Sequence, residues 1–319
     1  MSWRVRVGGL LVLLTLYALP RLLGPLQVRL AIEVLYLGLF AVSFNVLFGY
    51  TGLASFGHSA PFGVGGYTLA LLVLHLPGLP LLLAIPLAGV AGALAGLGIG
   101  AFCVRLHGGY FALLTLAFSQ FLYAVALKWR GLTRGDDGLT IAVPDVTIPG
   151  LATLRVAVAQ DLYYLVLTVV LLCLAAAWHF TRTPLGNATL LMRENDHRAS
   201  FLGYGVYATK LAAFTVAAGF AGVAGALYAG FQRVVSPAAL DLPLAAEVVF
   251  MAVLGGSRSF LGPFVGAGFY LLLQNWLSKT TEHWPFVIGL IFVLMVMYAP
   301  NGLVGLARQA LRPRAMEAS

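Results

Sequence analysis

The chain has 319 residues, of which 61% are hydrophobic and only 9% are charged, and its mean hydropathy is +0.94. A typical soluble domain carries roughly 25% charged residues, so this composition excludes an ordinary soluble protein and indicates a polytopic membrane protein. The net charge of +8 would suggest nucleic acid in a soluble chain, but here the basic residues lie at the ends of apolar segments. Membrane topology explains them, and we expect no nucleic-acid partner.

Apolar segments predict an all-α membrane protein, a polytopic helical bundle of about ten transmembrane helices. Glycine and proline interrupt several segments, and 62–76 and 247–254 are short for a full crossing, so interrupted helices are expected. The first segment is interpreted as a span, with an uncleaved signal anchor as the equivalent alternative. In chain order, the predicted spans are 8–23, 30–48, 62–76, 81–104, 111–127, 162–180, 211–230, 247–254, 264–276 and 285–298.

The segment 128–161 is predicted to be an extracytoplasmic loop. It contains W-R-G-L-T-R-G-D-D-G-L-T-I-A-V-P-D-V-T-I-P-G, which is rich in turn residues and partly β-like in composition. We expect a small cap on the outer face. The sequence leaves open whether this cap is a solvated connector or a docking surface.

One concentrated polar segment, 181–210, lies between the spans 162–180 and 211–230. Because both neighbours are long enough to cross a bilayer, this segment must lie in water at one membrane face. If that face is cytoplasmic, alternation places both termini there as well. The distribution of Lys and Arg favours this orientation mildly, and the basic tail A-R-Q-A-L-R-P-R supports it more clearly.

The sequence carries no pattern for nucleotide binding or catalysis. A phosphate-binding loop G-x-x-x-x-G-K-[ST] needs a lysine after its last glycine, but the three lysines follow Leu127, Thr209 and Ser278. The histidines are scattered, and Cys103 and Cys173 lie in apolar runs, where a thiol behaves as a small hydrophobe. We therefore expect no catalytic residue, no metal site and no cofactor bound by this chain. A series of buried carboxylates suited to a proton-driven carrier is also missing, which indicates an external energy source.

Five motifs in the same order, between residues 37 and 306, carry a family resemblance. They are G-Y-T-G-L-A-S-F-G-H-S-A-P-F-G-V-G-G-Y (49–67), R-L-H-G-G-Y-F-A-L-L-T-L-A-F-S-Q (105–120), G-D-D-G-L (135–139), R-E-N-D-H-R-A-S-F-L-G-Y (193–204) and V-L-G-G-S-R-S-F-L-G-P-F-V-G-A (253–267). The chain resembles the permease subunit of ABC importers for branched-chain amino acids and related small polar solutes. It departs from the family pattern at Pro61, Gly109 and Arg198, and R-E-N-D-H-R-A and T-E-H-W (281–284) resemble the urea or short-amide branch as readily.

The resemblance implies that residues 1–319 form a single transmembrane permease domain and that 181–210 is the cytoplasmic coupling segment, a short helix that fits a groove of an ATPase. Close approach in a groove needs small residues, and charges fix the register. A solvated helix without a partner is the alternative. The expected polar contacts are Arg193, Glu194, Asn195 and Arg198, and the small residues of the importer signature are Ala199 and Gly203.

Polar residues within the interrupted spans are the candidates for lining the solute path, since each can hydrogen-bond a passing solute in a low-dielectric pore. The alternative is that they join helices to one another, at ~0.6 kcal/mol per contact on average. His58, beside Gly57, fits a packing hydrogen bond better than a proton relay. The candidates are Asn45, Thr51, Ser55, His58, Ser59, Thr115, Ser119 and Gln120.

The resemblance also implies the partners. They are a second homologous permease subunit, two cytoplasmic ATPase subunits that bind ATP and Mg, an extracytoplasmic solute-binding protein and the lipid bilayer of the bacterial inner membrane. The chain would be a transport subunit and not an enzyme, moving branched-chain amino acids or related solutes such as urea and short amides. The alternatives are an autonomous secondary carrier or channel for a small polar solute, and a membrane enzyme, for which no motif speaks.

Overall fold

The computed structural model describes residues 14–148, 152–154, 156, 158–299 and 301–311. These residues are mostly helical, which confirms the predicted all-α class. The helices are α1 (14–22), α2 (Pro25–Thr51), α3 (Ser59–His75), α4 (Leu81–Cys103), α5 (Gly109–Lys128), α6 (Arg130–Thr133), α7 (Ala159–Arg182), α8 (Pro184–Glu194), α9 (Asp196–Phe201), α10 (Val206–Gln232), α11 (Leu242–Gly255), α12 (Gly262–Thr280), α13 (Trp284–Tyr298) and α14 (Gly302–Leu311). The strands are β1 (Leu139–Thr140), β2 (Val146–Ile148), β3 (Ala152–Leu154) and β4 (Val234–Val235).

Among the described residues, five helices are long and apolar enough to cross a membrane, namely α2, α4, α5, α7 and α10. The apolar helices α3, α11 and α13 are shorter, with 17, 14 and 15 residues. At ~1.5 Å per residue a 14-residue helix is about 21 Å long, less than the ~30 Å hydrocarbon core. The two segments predicted to be short, 62–76 and 247–254, fall in α3 and α11. The predicted span 8–23 lies partly outside the described residues.

Helix α2 is the central helix of the bundle, since 78% of its most apolar stretch is buried. Pro25 occupies its first turn, where a missing N–H costs nothing, and the Gly24 N–H donates to Gln27 Oε1 at 3.1 Å. Gly52 ends the helix in the left-handed conformation with φ +76°, which glycine adopts without strain. The chain therefore turns sharply into the loop 52–58 that leads to α3.

Helix α10 packs against α3 and α4 through glycines. A methyl group added to Gly225 would lie 1.8 Å from the Phe62 carbonyl oxygen, and one on Gly65 would lie 2.1 Å from the Gly222 carbonyl oxygen. Small residues that let backbones approach closely are the usual basis of helix packing in membranes. These contacts make α3, α4 and α10 one tightly packed unit.

The loop 128–161 is attached to the end of α10. Strand β1 pairs antiparallel with β4, which places Leu139 opposite Val235, and β2 pairs antiparallel with β3. Since β4 follows α10 by one residue, this pairing fixes the loop over the end of that helix.

The helical structure is interrupted between α10 and α11. Arg233 ends α10 with φ +57°, and the segment then runs through β4 and a 3-10 turn at Pro237–Leu240. That turn packs against both α3 and α5. Helix α11 begins directly afterwards, with Asp241 as its N-cap accepting from the Leu242 N–H at 2.7 Å. The chain thus folds back among the helices before α11 starts.

Candidate functional site

Two breaks in the helical chain meet inside the bundle at Ser59, Ser119 and the Leu240 carbonyl. Ser59 begins α3, Ser119 lies midway along α5, and Leu240 ends the 3-10 turn before α11. The two hydroxyl oxygens lie 2.8 Å apart, and they donate to the Leu240 carbonyl oxygen at 3.1 and 2.7 Å. Both serines are fully buried. This junction brings together two of the predicted path residues and ties both helix breaks to α5.

Gln120 extends the same junction toward α11. Its side-chain amide donates to Asp241 Oδ1 at 3.1 Å, so the N-cap of α11 is held by α5. Discontinuous helices whose N-termini converge near the middle of a membrane protein are typical of substrate sites in transporters. The N-termini of α3 and α11 both lie against α5 here, through Ser59 and Asp241.

His58 is fully buried between two aromatic rings and Ser43. Its ring lies 5.5 Å from the Phe40 ring in a stacked arrangement and 5.7 Å from Phe44, and Nε2 lies 3.0 Å from Ser43 Oγ. His58 thus lies among packed side chains with one hydroxyl neighbour, which fits the packing role expected for it better than a proton relay.

The remaining predicted path residues divide between satisfied and unsatisfied groups. Thr51 and Thr115 donate within their own helix, to Val46 and Ala112. Asn45 donates to the Ser259 carbonyl oxygen at 3.2 Å. Three buried polar atoms of the set have no hydrogen-bond partner among the described residues: Asn45 Oδ1, Ser55 Oγ and His58 Nδ1. Buried polar atoms are rarely left unpaired, so these three groups have hydrogen-bonding capacity that the described side chains do not use.

The second candidate site is the coupling segment, which forms helices α8 and α9. Thr183 caps α8 by accepting from the Gly186 N–H at 3.2 Å, and Pro184 follows at the first helical position. Asn195 caps α9 by accepting from the Arg198 N–H at 3.0 Å. Such caps stabilise a helix by ~1 kcal/mol each, so both helices are specified by their own sequence. Asn195 therefore has an internal role in shaping α9.

Arg193 attaches α8 to the end of α2. Its guanidinium donates to the Gly49 carbonyl oxygen, and its side chain lies against Gly52, where an added methyl group would be 3.2 Å from Arg193 Cγ. The coupling segment is thereby anchored to the central helix.

Asp196 and Lys210 attach α9 to α10. The Lys210 side chain is almost fully buried and forms an ion pair with Asp196 Oδ2, which also lies 3.2 Å from His107 Nε2 in the loop before α5. Tyr207 adds a hydrogen bond to the Ala101 carbonyl oxygen of α4 at 3.1 Å. This partly buried charged contact therefore joins the start of α9 to the start of α10.

The exposed face of the coupling segment carries both charged and apolar side chains. Glu194 and Arg198 are exposed, whereas Ala199 is 1% exposed and faces inward. Phe201 and Leu202, at the end of α9, are 90% and 63% exposed. Gly203 then ends the helix with φ +85° and has open space where a side chain would be. A large aromatic side chain that is exposed at a helix end is the kind of anchor that fills a partner's groove.

Sequence reasoning missed Asp196, Lys210, His107 and Asp241. A signal for Lys210 existed, because a lysine at the start of an apolar span needs a partner when it is buried. Asp241 precedes Leu-Pro, a helix-start signal that would have placed the beginning of α11 at residue 242 instead of 247. Among the described residues, no group of three or more His, Cys, Asp or Glu side chains is arranged to hold a metal ion.

Comparison with known protein families gives a match over most of the chain. Residues 26–298 match the family described as the permease component of branched-chain amino acid transport systems. The chain is 32% identical over 294 residues to the high-affinity branched-chain amino acid transport system permease protein LivM of Salmonella typhimurium, covering 86% of this chain and 69% of the relative. It is 23% identical over 289 residues to the permease protein LivH of the same type of system from Escherichia coli, covering 84% and 90%.

A further relative has another named cargo. The chain is 27% identical over 249 residues to the autoinducer 2 import system permease protein LsrC of an Enterobacter species, covering 69% of this chain and 71% of the relative. No solved structure matches the chain significantly.

Proposed function

Because this chain belongs to the family of branched-chain amino acid transport permeases, we propose that it forms one half of the membrane pore of an ABC importer and moves leucine, isoleucine or valine inward. It is a multi-pass membrane protein and a transport subunit. The coupling segment is the feature that supports this mechanism. Its two helices, α8 and α9, contact α2 and α10 through Arg193 and Asp196, while Phe201 and Leu202 are exposed.

In this mechanism two cytoplasmic ATPase chains supply the work. Each binds ATP and Mg, and their closure moves a groove that holds the exposed face of α9, with Glu194 and Arg198 setting the register. The Arg193 contact to Gly49 and the ion pair between Asp196 and Lys210 pass that motion to α2 and α10. Rigid secondary elements and buried charged contacts are suited to carrying such coupling.

The solute path runs past the junction of Ser59, Ser119 and Leu240. The N-termini of α3 and α11 lie there, and the unpaired atoms of Asn45, Ser55 and His58 lie in the same buried interior. When the helices move apart, these groups exchange their mutual hydrogen bonds for bonds to the solute.

The proposed assembly contains a second, homologous permease and a solute-binding protein on the outer face. It lies in the bacterial inner membrane, and both termini of this chain are cytoplasmic. Similarity to two different permeases of one type of system, LivM and LivH, supports a pore of two related chains. The names of the relatives favour branched-chain amino acids and give no support to the urea or short-amide branch.

The test is reconstitution of the chain in liposomes with its partner permease, ATPases and binding protein, followed by uptake of radiolabelled leucine. We expect uptake only with the complete set and ATP. Leucine uptake by the chain alone without ATP would contradict the proposal and establish an autonomous carrier. A companion test is retention of the ATPases during purification: Phe201→Ser should lose them, whereas a serine substitution of another exposed phenylalanine, Phe286→Ser on α13, should keep them.

A further inference from the structure

A cavity of about 250 Å³ opens at the end of α2 opposite the coupling segment. Helix α2 contacts α8 near Gly49, whereas the cavity lies at the beginning of α2, beside the end of α10 and the last turns of α12. With the coupling segment in the cytoplasm, the cavity faces outward. Its lining residues are Leu26, Arg29, Leu30, Glu33, Phe231, Gln232 and Asn275.

The cavity holds two opposite charges that are not paired with each other. Arg29 and Glu33 are one turn apart on α2, so their side chains project from the same face. Arg29 and Glu33 lie close enough to interact electrostatically, but no ion pair joins these two described residues. The Arg29 guanidinium lies 5.7 Å from the centre of the Phe231 ring. This contact leaves the N–H groups of the guanidinium available to a ligand.

The remainder of the lining consists of apolar side chains and side-chain amides. Leu26, Leu30 and Phe231 supply the apolar wall, and Gln232 and Asn275 supply neutral donors and acceptors. Pockets for drug-sized ligands measure roughly 300–1,000 Å³, so a cavity of about 250 Å³ suits a smaller solute. A guanidinium binds a carboxylate with good geometry, and a carboxylate binds an ammonium group by charge-assisted hydrogen bonds.

We propose that this cavity is a binding site for the zwitterionic form of a small apolar amino acid, with Arg29 on its carboxylate, Glu33 on its ammonium group and Phe231 and the leucines around its side chain. The inference rests on the proposed function and names a site for its substrate. The cavity receives the amino acid at the outer mouth of the permease, before the solute reaches the buried junction.

Polar side chains continue inward from this cavity. Tyr36, which is 3% exposed, lies near Glu33, Gln232 and Glu247. Glu247 in turn lies near the buried Tyr270 of α12. Buried ionisable residues in membrane helices mark solute and ion pathways. The series therefore connects the cavity with the interior across α2, α11 and α12.

The test is direct binding of leucine to the purified permease in phosphatidylcholine and phosphatidylglycerol vesicles, without ATPases or binding protein. We expect saturable leucine binding. Neither 3-methylbutylamine, which lacks the carboxylate, nor 4-methylpentanoate, which lacks the ammonium group, should compete at similar concentration, because each loses one charged contact. Equal competition by either analogue, or no leucine binding at millimolar concentration, would overturn the proposal.

Variants identify the site. Arg29→Gln and Glu33→Gln should each weaken leucine binding about tenfold or more, since a hydrogen bond to a charged group is lost. Arg29→Gln should also lose the preference for leucine over 3-methylbutylamine, because the carboxylate contact that distinguishes the two is gone. Arg21→Gln, an exposed basic residue on α1 outside the cavity, is the matched control and should bind leucine normally. Equal affinities of the Arg29 and Arg21 variants would contradict the assignment.

Phosphatidylethanolamine carries a phosphate and a primary ammonium group that can donate hydrogen bonds, which the quaternary ammonium of phosphatidylcholine cannot do, so a second set of vesicles contains this lipid. Leucine binding should persist there. Complete displacement of leucine by this lipid would assign the cavity to lipid and overturn the proposal. Because the assay contains no ATP-driven component, loss of uptake in the complete importer with leucine binding intact counts against the proposed function alone.

Discussion

The contact between Lys210 and Asp196 has the largest predicted effect of any single residue pair in the coupling segment. Lys210 is 3% exposed, and its charge is compensated by one carboxylate. Removing one partner of a buried ion pair is far more damaging than removing both, because the remaining charge stays unpaired in the interior.

Asp196→Asn should therefore destabilise the protein by roughly 3 kcal/mol, whereas adding Lys210→Met to the same chain should recover most of that loss. The apparent melting temperatures of the purified single and double variants measure this. A double variant less stable than Asp196→Asn would contradict the ion-pair account.

Ser119 distinguishes a solute path from helix packing. In a chain with Cys103→Ala and Cys173→Ala, Ser119→Cys should react slowly with a membrane-permeant maleimide at rest and several times faster in the ATP-bound importer. Ala126→Cys, equally buried on the same helix but outside the predicted path, is the control. Identical Ser119→Cys reaction rates in the two states would favour the packing role.

At the scale of helices, the glycine contacts of α10 are predicted to hold the bundle together. Gly225→Ala should lower the melting temperature and the yield of monodisperse protein, because its new methyl group meets the backbone of α3. Gly98→Ala on α4 faces open space and should be neutral or stabilising, since alanine favours a helix by ~1 kcal/mol over glycine. Equal losses in both variants would contradict the packing explanation.

Sequence reasoning recovered the helices whose signals are local. The apolar runs and the interruptions around α3 and α11 are set by neighbouring residues. The directions of Arg193 and Ala199 could not be predicted, because they depend on where α2 ends, some 140 residues earlier in the chain. The charged cavity was missed for the same reason, since Arg29, Gln232 and Asn275 meet only after α2, α10 and α12 have packed.

At the scale of the whole molecule, the two ends of α2 have different tasks. One end holds Arg29 and Glu33 beside the outer cavity, and the other receives Arg193 from the coupling segment. In the proposed mechanism, this central helix would link solute binding at the cavity to the segment that the ATPases move. The coupling role of 181–210 is therefore the central claim.

Leucine-stimulated ATP turnover by the reconstituted importer tests that claim most directly, with Arg198→Glu and Gly203→Trp compared against Lys279→Glu. Arg198 lies on the exposed face of α9, a tryptophan at residue 203 would be strained at φ +85°, and Lys279 is an exposed cation at the far end of α12. We predict that both coupling variants insert normally but lose stimulated turnover and uptake, while Lys279→Glu keeps both. Normal leucine-stimulated turnover in either coupling variant would contradict the account.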